Sequence, residues 1–203
     1  MSPLPDFIYL ASQSPRRSQL LDQLGVRHAL LLSDADEDTE ALEAVLRNEA
    51  PKTYVQRVTA LKLQAAQERL VRRNLLPAFI LCADTTVAMG QSIFGKPEDA
   101  QDAKRMLRAL SNRPHRVLTA IAVGHGDRYA VACSESWVTF GEISEPDIEA
   151  YVASGEPMGK AGAYAVQGRA AAYIANISGS YSGIMGLPLF ETAQVLRSLG
   201  FEL

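Results

Sequence analysis

The order of segments along the chain predicts an α/β protein with a mixed sheet flanked by helices. Residues 7–11 form a short apolar run of strand type, and a helix signal follows at Pro15. The uninterrupted apolar run Phe79–Ala83 indicates a strand that is covered on both faces. Residues 116–123 and 129–140 have the pattern of a long antiparallel pair, which completes the mixed sheet.

Length and composition are those of an ordinary globular protein. The 203 residues are 47% hydrophobic and 21% charged, which fits a single domain, 1–203, of two lobes that share one sheet. The net charge is -3, from 20 Lys and Arg against 23 Asp and Glu. This balance gives no general basic field for nucleic acid or an anionic membrane, so any phosphate site must be local.

The sequence carries no signal for secretion or membrane insertion. Its N-terminus lacks the basic region, apolar segment and cleavage site of a signal peptide, and no run approaches the roughly 18 apolar residues of a membrane span. We therefore expect a soluble cytoplasmic protein. Cys82 and Cys133 fall in apolar runs away from any histidine, which favours buried thiols over a metal site or a disulfide.

Local start and stop signals predict the elements of the first half. Ser14 is expected to cap a helix that stops at Gly25. A second strand is predicted at 27–32. A proline then opens a long helix over 51–73, supported by apolar residues at helical spacing.

The same signals extend through the second half. The segment 87–94 predicts a strand hairpin, and the helix after it reaches about Leu110. A capping box opens a helix over 144–155. A strand is predicted at 171–177, followed by a turn, and the final amphipathic helix follows Pro188.

Charge at the start of the first helix indicates an anion site. Arg16 and Arg17 fall in its first turn, near the positive end of the helix dipole, where a cation is unfavourable by roughly 0.3 to 1 kcal/mol. A phosphate would reverse that sign, because it would meet free amides, the hydroxyls of Ser12 and Ser14 and two guanidinium groups. The alternative is that both arginines simply lie exposed near a helix end.

Two carboxylates and a lysine stand in unusual surroundings. Glu37 belongs to the acidic run 34–38 at the end of a strand, which suits either a solvated loop or a hard metal ion. Lys62 falls on the apolar stripe of its helix, where it must snorkel or reach into a cleft. Asp84 lies in or at the end of a buried strand, which is costly unless a cation or hydrogen bonds meet it.

A second lysine lies in a segment that imitates a phosphate-binding loop. Gly90 to Lys96 has the spacing G-x-x-x-x-G-K, but Pro97 stands where a metal-binding hydroxyl is required, and the segment is a strand hairpin. Lys96 can still bind phosphate as a point charge. The later Gly-rich passage, 155–168, is either a connector or a ligand rim.

Other kinds of catalytic site lack support. The histidines His28, His115 and His125 are isolated, so neither a zinc motif nor a serine or cysteine triad has its usual pattern. What remains is a set of cations with two carboxylates, Glu37 and Asp84. That set suits a polyphosphate bound with Mg²⁺ or Mn²⁺, in which a carboxylate orients or deprotonates an attacking water.

Several short motifs, in order over nearly the whole chain, resemble those of one family. They are Ser12-x-Ser14-Pro15-Arg16-Arg17, Ala83-Asp84-Thr85, Gly95-Lys96-Pro97, Gly155-Glu156-Pro157 with Lys160-Ala161-Gly162-Ala163-Tyr164, Gln167-Gly168, and Gly179-Ser180-Tyr181 with Gly186-Leu187-Pro188-Leu189. Together they resemble the Maf family of nucleoside triphosphate pyrophosphatases. The departures are small: Cys82 stands where the family often has glycine, and Ala170–Ala172 replaces a more Gly-rich stretch.

This resemblance implies a fold, an activity and a cofactor. The fold is two α/β lobes around an extended sheet with the active cleft between them, the Maf or ITPase-like arrangement, often as a homodimer. The activity is hydrolysis of a nucleoside triphosphate to the monophosphate and pyrophosphate, dependent on Mg²⁺, Mn²⁺ or Co²⁺. By the same likeness, Asp84 accepts the proton, and Glu37 and Asp84 lie at the metal. The triphosphate is held by Ser12, Arg17, Lys62 and Lys96.

Three positions bear on the preferred base: Arg16, Thr85 and Gln167. They are similar to the subgroup that acts on dTTP and UTP, whereas the subgroup that acts on 7-methyl-GTP carries Trp, Gln and Glu there. A Gln amide both donates and accepts, so Gln167 matches a carbonyl and the ring N3–H of uracil or thymine. We therefore expect pyrimidine triphosphates as substrates, in a house-cleaning role that removes surplus or noncanonical nucleotides.

A rival hypothesis comes from a different class of protein. A regulatory module, related to cell division, would bind nucleotides or a partner protein without turnover. It fits the phosphate-binding helix start equally well but gives no reason for the two carboxylates. A pyrophosphate-release assay across triphosphates separates the two hypotheses.

Overall fold

Strand β3 (Phe79–Met89) is the centre of the computed structural model, which describes residues 5–34, 37 and 41–203. The strand is 11 residues long and passes through Asp84 without a break. Nearly all of its side chains are buried, because helices cover both faces of the sheet at this point. The predicted apolar strand is confirmed, and it extends well past the segment that predicted it.

The remaining elements have the following bounds. The strands are β1 (Ile8–Leu10), β2 (His28–Leu30), β4 (Ser92–Phe94), β5 (Pro114–His125), β6 (Arg128–Phe140) and β7 (Ile174–Ser178). The helices are α1 (Pro15–Gln23), α2 (Pro51–Arg72), α3 (Ala100–Leu110), α4 (Glu145–Ala153), α5 (Tyr181–Met185) and α6 (Leu189–Ser198). Short 3₁₀ turns occupy Ala41–Glu43, Ala161–Ala163 and Arg169–Tyr173.

The strands of the described residues form one sheet in the order β2-β1-β3-β5-β6-β7, and β4 also pairs with β3. Strand β1 runs parallel to both β2 and β3, while the other neighbouring pairs are antiparallel. The predicted mixed sheet flanked by helices is therefore confirmed. The division of 1–203 into two lobes of one domain stays a prediction.

One edge of β3 is interrupted, and this makes room for a site. Strand β5 pairs with β3 over residues 80–88 along one edge. On the opposite edge, β1 pairs with residues 79–81 and β4 with residues 87–89. Among the described strands, none pairs with 82–86 on that edge. Open α/β sheets bind ligands outside the carboxyl ends of their strands, and the carboxyl end of β1 lies at this interruption.

Helices pack on both faces of the sheet. Helix α2 covers one face, where Leu63 packs in a cluster with Cys82, and α1 and α6 cover the other, where Leu20 packs in a cluster with Leu81. Side chains alternate between the faces along a strand. The even-numbered residues in the first part of β3 therefore face α2, and the odd-numbered residues face α1.

A membrane-spanning helix is absent from the described part of the chain, where no helix combines the required length with enough apolar character.

The local start and stop signals were mostly reliable. The predicted helices over 51–73 and after Pro188 are confirmed as α2 and α6. Gly25 ends α1 with a φ of 73°, a left-handed conformation that glycine adopts without strain. Ser14 does occupy the N-cap position, but its side chain makes no capping hydrogen bond. Its amide instead donates to Oγ of Ser12 at 3.2 Å.

Two predictions in other segments were wrong. Residues 171–173 belong to a 3₁₀ turn, whose first amide, that of Arg169, donates to the Glu156 carboxylate, and β7 begins only at Ile174. Cys133 is half-buried rather than buried. The turn predicted at 178–181 does bend the chain, and it leads directly into the short helix α5, whose start is capped by Ser180.

Candidate active site

A cleft of about 490 Å³ lies beside the interrupted edge of β3. It collects every side chain predicted for the site except Glu37. These residues come from α1, α2, β3 and the connecting loops, so the fold brings together parts of the chain that are far apart in sequence. They are Ser12, Arg16, Arg17, Lys62, Asp84, Thr85, Lys96 and Gln167.

Lys62 bridges two carboxylates in this cleft. Its Nζ donates to Oδ1 of Asp84 at 2.6 Å and to Oε1 of Glu43 at 2.7 Å. The side chain of Lys62 is 18% exposed and that of Asp84 is 11% exposed, so both charges are largely withdrawn from water and interact strongly. Of the two alternatives for Lys62, the structure selects the one in which the ammonium reaches into a cleft.

Strand alternation decides which groups meet. Asp84 follows Cys82 on the face covered by α2, and it therefore meets Lys62. Thr85 follows Ala83 on the opposite face, where α1 lies, and it meets Arg17. The buried carboxylate of Asp84, which the sequence placed in or at the end of a strand, is thus paired with a cation on α2.

Arg17 is held by groups from three parts of the chain. Its Nε donates to the carbonyl of Gly186 at 2.8 Å, and its Nη1 donates to Oγ of Ser12 at 3.1 Å. Its Nη2 lies 3.5 Å from Oγ1 of Thr85. Burial lowers the pKa of Arg17, an effect that the negative charge of Asp84 opposes. A guanidinium has further N–H donors, so Arg17 can still bind an anion in the cleft.

A chain of hydroxyls fixes Thr85. Oγ1 of Thr119 donates to the carbonyl of Gly183 at 2.7 Å, and it lies 2.9 Å from Oγ1 of Thr85. Because the Thr119 proton is used on the carbonyl, Thr85 donates to Thr119 and is left to accept from Arg17. Thr119, which the sequence did not single out, therefore sets the orientation of Thr85.

Glu43 is the carboxylate that sequence reasoning missed. Its Oε2 accepts from Nζ of Lys96 at 2.9 Å, while its Oε1 accepts from Lys62. Burial alone would raise the pKa of Glu43, but the ammonium groups of Lys62 and Lys96 outweigh it and hold that pKa below its usual value. No local pattern marks Glu43, because its partners lie far along the chain.

Glu37 lies outside the cleft, behind one of the cleft-lining arginines. Its carboxylate pairs with Arg69 and with Arg72, and the hydrogen bonds from Arg69 contribute most to lowering its pKa to about 2. Arg69 lines the cleft and Glu37 does not. The metal role of Glu37 stays a prediction. Residues 35, 36 and 38 of the acidic run lie outside the described residues.

Residues 7–199 match the model of the Maf family, whose description is Maf-like protein. The chain belongs to the Maf family. Full-length relatives agree with this assignment. The dTTP/UTP pyrophosphatase of Albidiferax ferrireducens is 67% identical over 199 residues, which cover 98% of this chain and 100% of that protein.

Two further relatives carry the same name. The dTTP/UTP pyrophosphatase of a Polaromonas species is 65% identical, covering 99% of this Maf chain and all of its own. That of Ralstonia nicotianae is 60% identical, covering 97% of this chain and 95% of that protein.

A comparison with solved structures matches the Staphylococcus aureus Ham1 protein. The match covers 66% of this chain and 71% of that chain at 12% identity, with a TM-score of 0.39, which supports no conclusion.

The Gly-rich passage of this Maf protein forms the rim of the cleft. Gln167 is exposed on the rim, next to Gly168. A Cβ at Gly168 would lie 2.1 Å from Oε1 of Glu156, so any larger residue would push the Glu156 carboxylate out of its present place. The amide of Gly162 donates to the carbonyl of Gly95 at 3.0 Å and joins the rim to the loop of Lys96. Of the two alternatives for this passage, its place along the cleft fits the rim. That it contacts a ligand stays a prediction.

The donors in the Maf cleft fit a hard divalent cation only together with a substrate. Among the described residues, no group of three or more His, Cys, Asp or Glu side chains is placed to hold a metal ion. Mg²⁺ is commonly bound by one or two carboxylates plus the phosphate oxygens of a substrate. Asp84 can contribute in this way, because none of the described residues donates to its second oxygen, Oδ2.

Proposed function

We propose that this protein hydrolyses dTTP and UTP to the nucleoside monophosphate and pyrophosphate, and thereby clears surplus or modified pyrimidine nucleotides. The observation that carries the proposal is the Lys62 bridge to Asp84 in a cleft that also holds Arg17 and Lys96. Cations for a triphosphate thus lie beside a carboxylate for the attacking water. The names of the relatives at 60 to 67% identity support the same substrates.

The cations bind and neutralise the triphosphate. Arg17 presents a fork of donors, Lys62 and Lys96 act as point charges, and the hydroxyl of Ser12 adds a hydrogen bond. Charge spreads over the phosphate oxygens during transfer, so preorganised cations stabilise the transition state. Since these groups come from α1, α2 and the loop after β4, the substrate must span the cleft to meet all of them.

Asp84 is the proton acceptor in this mechanism. A water positioned by its carboxylate attacks the α-phosphorus, and its proton passes to Asp84. The new bond from the water oxygen to the α-phosphorus forms as the bond from the α-phosphorus to the α–β bridging oxygen breaks, and pyrophosphate leaves with that bonding electron pair. The backbone of Asp84 is held in place, because it lies on a central strand paired with β5.

We also propose dependence on a divalent cation, Mg²⁺, Mn²⁺ or Co²⁺. Asp84 and Glu37 would hold it, and Glu37 would first have to release Arg69 and Arg72. When bound, the ion would supply charge neutralisation on the phosphate oxygens. The proposal further includes a cytoplasmic location, which suits nucleotide metabolism, and a homodimer, which the family likeness implies.

Replacement of Asp84 by asparagine tests the enzyme hypothesis. Asp84→Asn should lower pyrophosphate release from UTP by roughly 10²- to 10⁴-fold, because the amide cannot accept the proton. Asp127→Asn, in the exposed turn after β5, is the matched control and should keep full activity. Full turnover by Asp84→Asn would contradict its role. A wild-type protein that binds nucleotides but releases no pyrophosphate with any of the three metals would support the regulatory module instead.

Gln167 tests the choice of base. Gln167→Glu should weaken the use of UTP and dTTP selectively, because a carboxylate only accepts hydrogen bonds and cannot serve the O4 carbonyl of the pyrimidine. The measurement is kcat/KM for pyrophosphate release across pyrimidine and purine triphosphates. Equal losses on all bases would show that Gln167 only positions the rim.

A further inference from the structure

The Glu43 carboxylate is arranged on the two lysines as a phosphate group would be. One oxygen, Oε1, accepts from Lys62 at 2.7 Å, and the other, Oε2, accepts from Lys96 at 2.9 Å. A single anionic group thus joins two ammonium groups on α2 and on the loop after β4. A phosphate that binds both lysines would approach the same two ammonium groups. Each ammonium has three N–H donors, so Glu43 and a phosphate would compete mainly through their like charges.

The backbone at Glu43 is held in place by side chains of α2, so only the Glu43 side chain has to move when its carboxylate leaves the lysines. The hydroxyl of Tyr54, on α2, donates to the Glu43 carbonyl at 3.0 Å. Arg57, one turn further along α2, donates to the carbonyl of Ala44 at 2.8 Å and pairs with Glu49 at 2.7 Å. The segment 41–49 is therefore fastened to α2, and it carries the Glu43 carboxylate into the cleft.

The charge of Glu43 opposes the proposed substrate. The side chain is 25% exposed, so its charge is only partly screened by water. Both of its lysine partners favour the ionised form. A triphosphate would bring several further negative charges to the same place, and the repulsion is relieved when the Glu43 side chain turns away.

We propose that Glu43 competes with the triphosphate for Lys62 and Lys96. Its carboxylate pairs with both lysines until the substrate binds and displaces it. The inference rests on the proposed function only in that it takes these two lysines as triphosphate ligands. The displacement weakens the binding of every anion that uses these two lysines. An anion with few other contacts is therefore kept out, while a triphosphate that also meets Arg17 and Ser12 still binds.

Calorimetric titration with inorganic pyrophosphate tests this role directly. The titration is done in EDTA, so that a metal cannot contribute, with wild type, Glu43→Gln and Glu43→Ala. Both variants should bind pyrophosphate about tenfold more tightly, since no carboxylate has to be displaced. Glu98→Gln is the matched control. It removes the same charge from an exposed side chain two positions from Lys96 and outside the cleft, and the affinity should not change.

Unchanged or weaker pyrophosphate binding in the two Glu43 variants would overturn the inference. A lower kcat of Glu43→Gln on UTP without tighter pyrophosphate binding would do the same, because it would make Glu43 a helper in catalysis. The proposed function fails separately, if the wild-type protein releases no pyrophosphate from UTP or dTTP. In support of the competitor role, KM for UTP should fall in Glu43→Gln while kcat does not rise.

Discussion

Replacing Lys62 by methionine should destabilise the protein when no ligand is added, because it leaves two carboxylates in the cleft without the cation that they share. The ammonium lies 2.6 Å from Oδ1 of Asp84 and 2.7 Å from Oε1 of Glu43. Methionine keeps an unbranched apolar stem of similar length on α2. The substitution therefore removes the charge and little of the packing.

The size of the effect follows from the exposure of the three side chains. Removing one partner of a fully buried ion pair costs roughly 3 to 5 kcal/mol. Here the side chains of Lys62, Asp84 and Glu43 are 18%, 11% and 25% exposed, so water screens part of the repulsion. Glu43 also keeps Lys96 as a partner. We expect a loss of about 2 kcal/mol, which lowers Tm by roughly 4 to 8 °C for a domain of this size.

Thermal and urea unfolding in EDTA measure this loss. Lys96→Met is the matched control. It loses an ammonium that is 52% exposed and that pairs, among the described residues, with Glu43 alone, so it should cost at most about 1 kcal/mol. The double variant Lys62→Met/Asp84→Asn should recover most of the lost stability, because it removes the unpaired charge. Two results would refute the reasoning. One is a free energy of unfolding for Lys62→Met equal to that of the wild type, and the other is a loss in Lys62→Met that does not exceed the loss in Lys96→Met.

Two further predictions concern groups away from the Lys62 bridge. His115 is fully buried, and burial lowers its pKa from 6.5 to about 4. The unfolded chain therefore takes up a proton on this histidine at a higher pH than the folded chain does. As a result, the free energy of unfolding should fall as the pH drops from about 6.5 to 4. Urea titrations of His115→Gln should lack this contribution of the histidine to the pH dependence. Gly162→Ala should cost roughly 1 to 3 kcal/mol, because φ is 69° and a Cβ would lie 2.8 Å from Cγ2 of Val87. Gly126→Ala has a similar φ of 57° in open space, so equal losses in both variants would exclude the clash with Val87.

Much of the fold could be predicted from local patterns. The buried strand β3 and the long helix α2 are each encoded in contiguous residues, as an apolar run and as apolar spacing opened by a proline. The cations of the site could be found for a related reason. Arg17 and Lys62 conflict with their local surroundings, and such conflicts are resolved only by a partner elsewhere in the fold.

The remaining features depend on contacts between distant segments. Glu43 gave no signal, since an acidic residue in an irregular segment is ordinarily solvated, and only the folded chain places it between Lys62 and Lys96. The interruption along β3 depends on which strands pair with its edge, and sequence patterns do not report pairing. Residues 171–173, the end of the 3₁₀ turn at Arg169–Tyr173, were predicted as strand for the same reason, because the first amide of this turn donates to the carboxylate of Glu156 in another segment.

The contact between Arg17 and the carbonyl of Gly186 spans 169 positions of the chain. During synthesis, helix α1 emerges from the ribosome long before the segment that fastens its arginine. Contacts of such large sequence separation close late, because the loop-closure entropy must be overcome first. The nascent chain therefore cannot complete the hydrogen bonds around Arg17 until the segment that carries Gly186 has been translated and has docked.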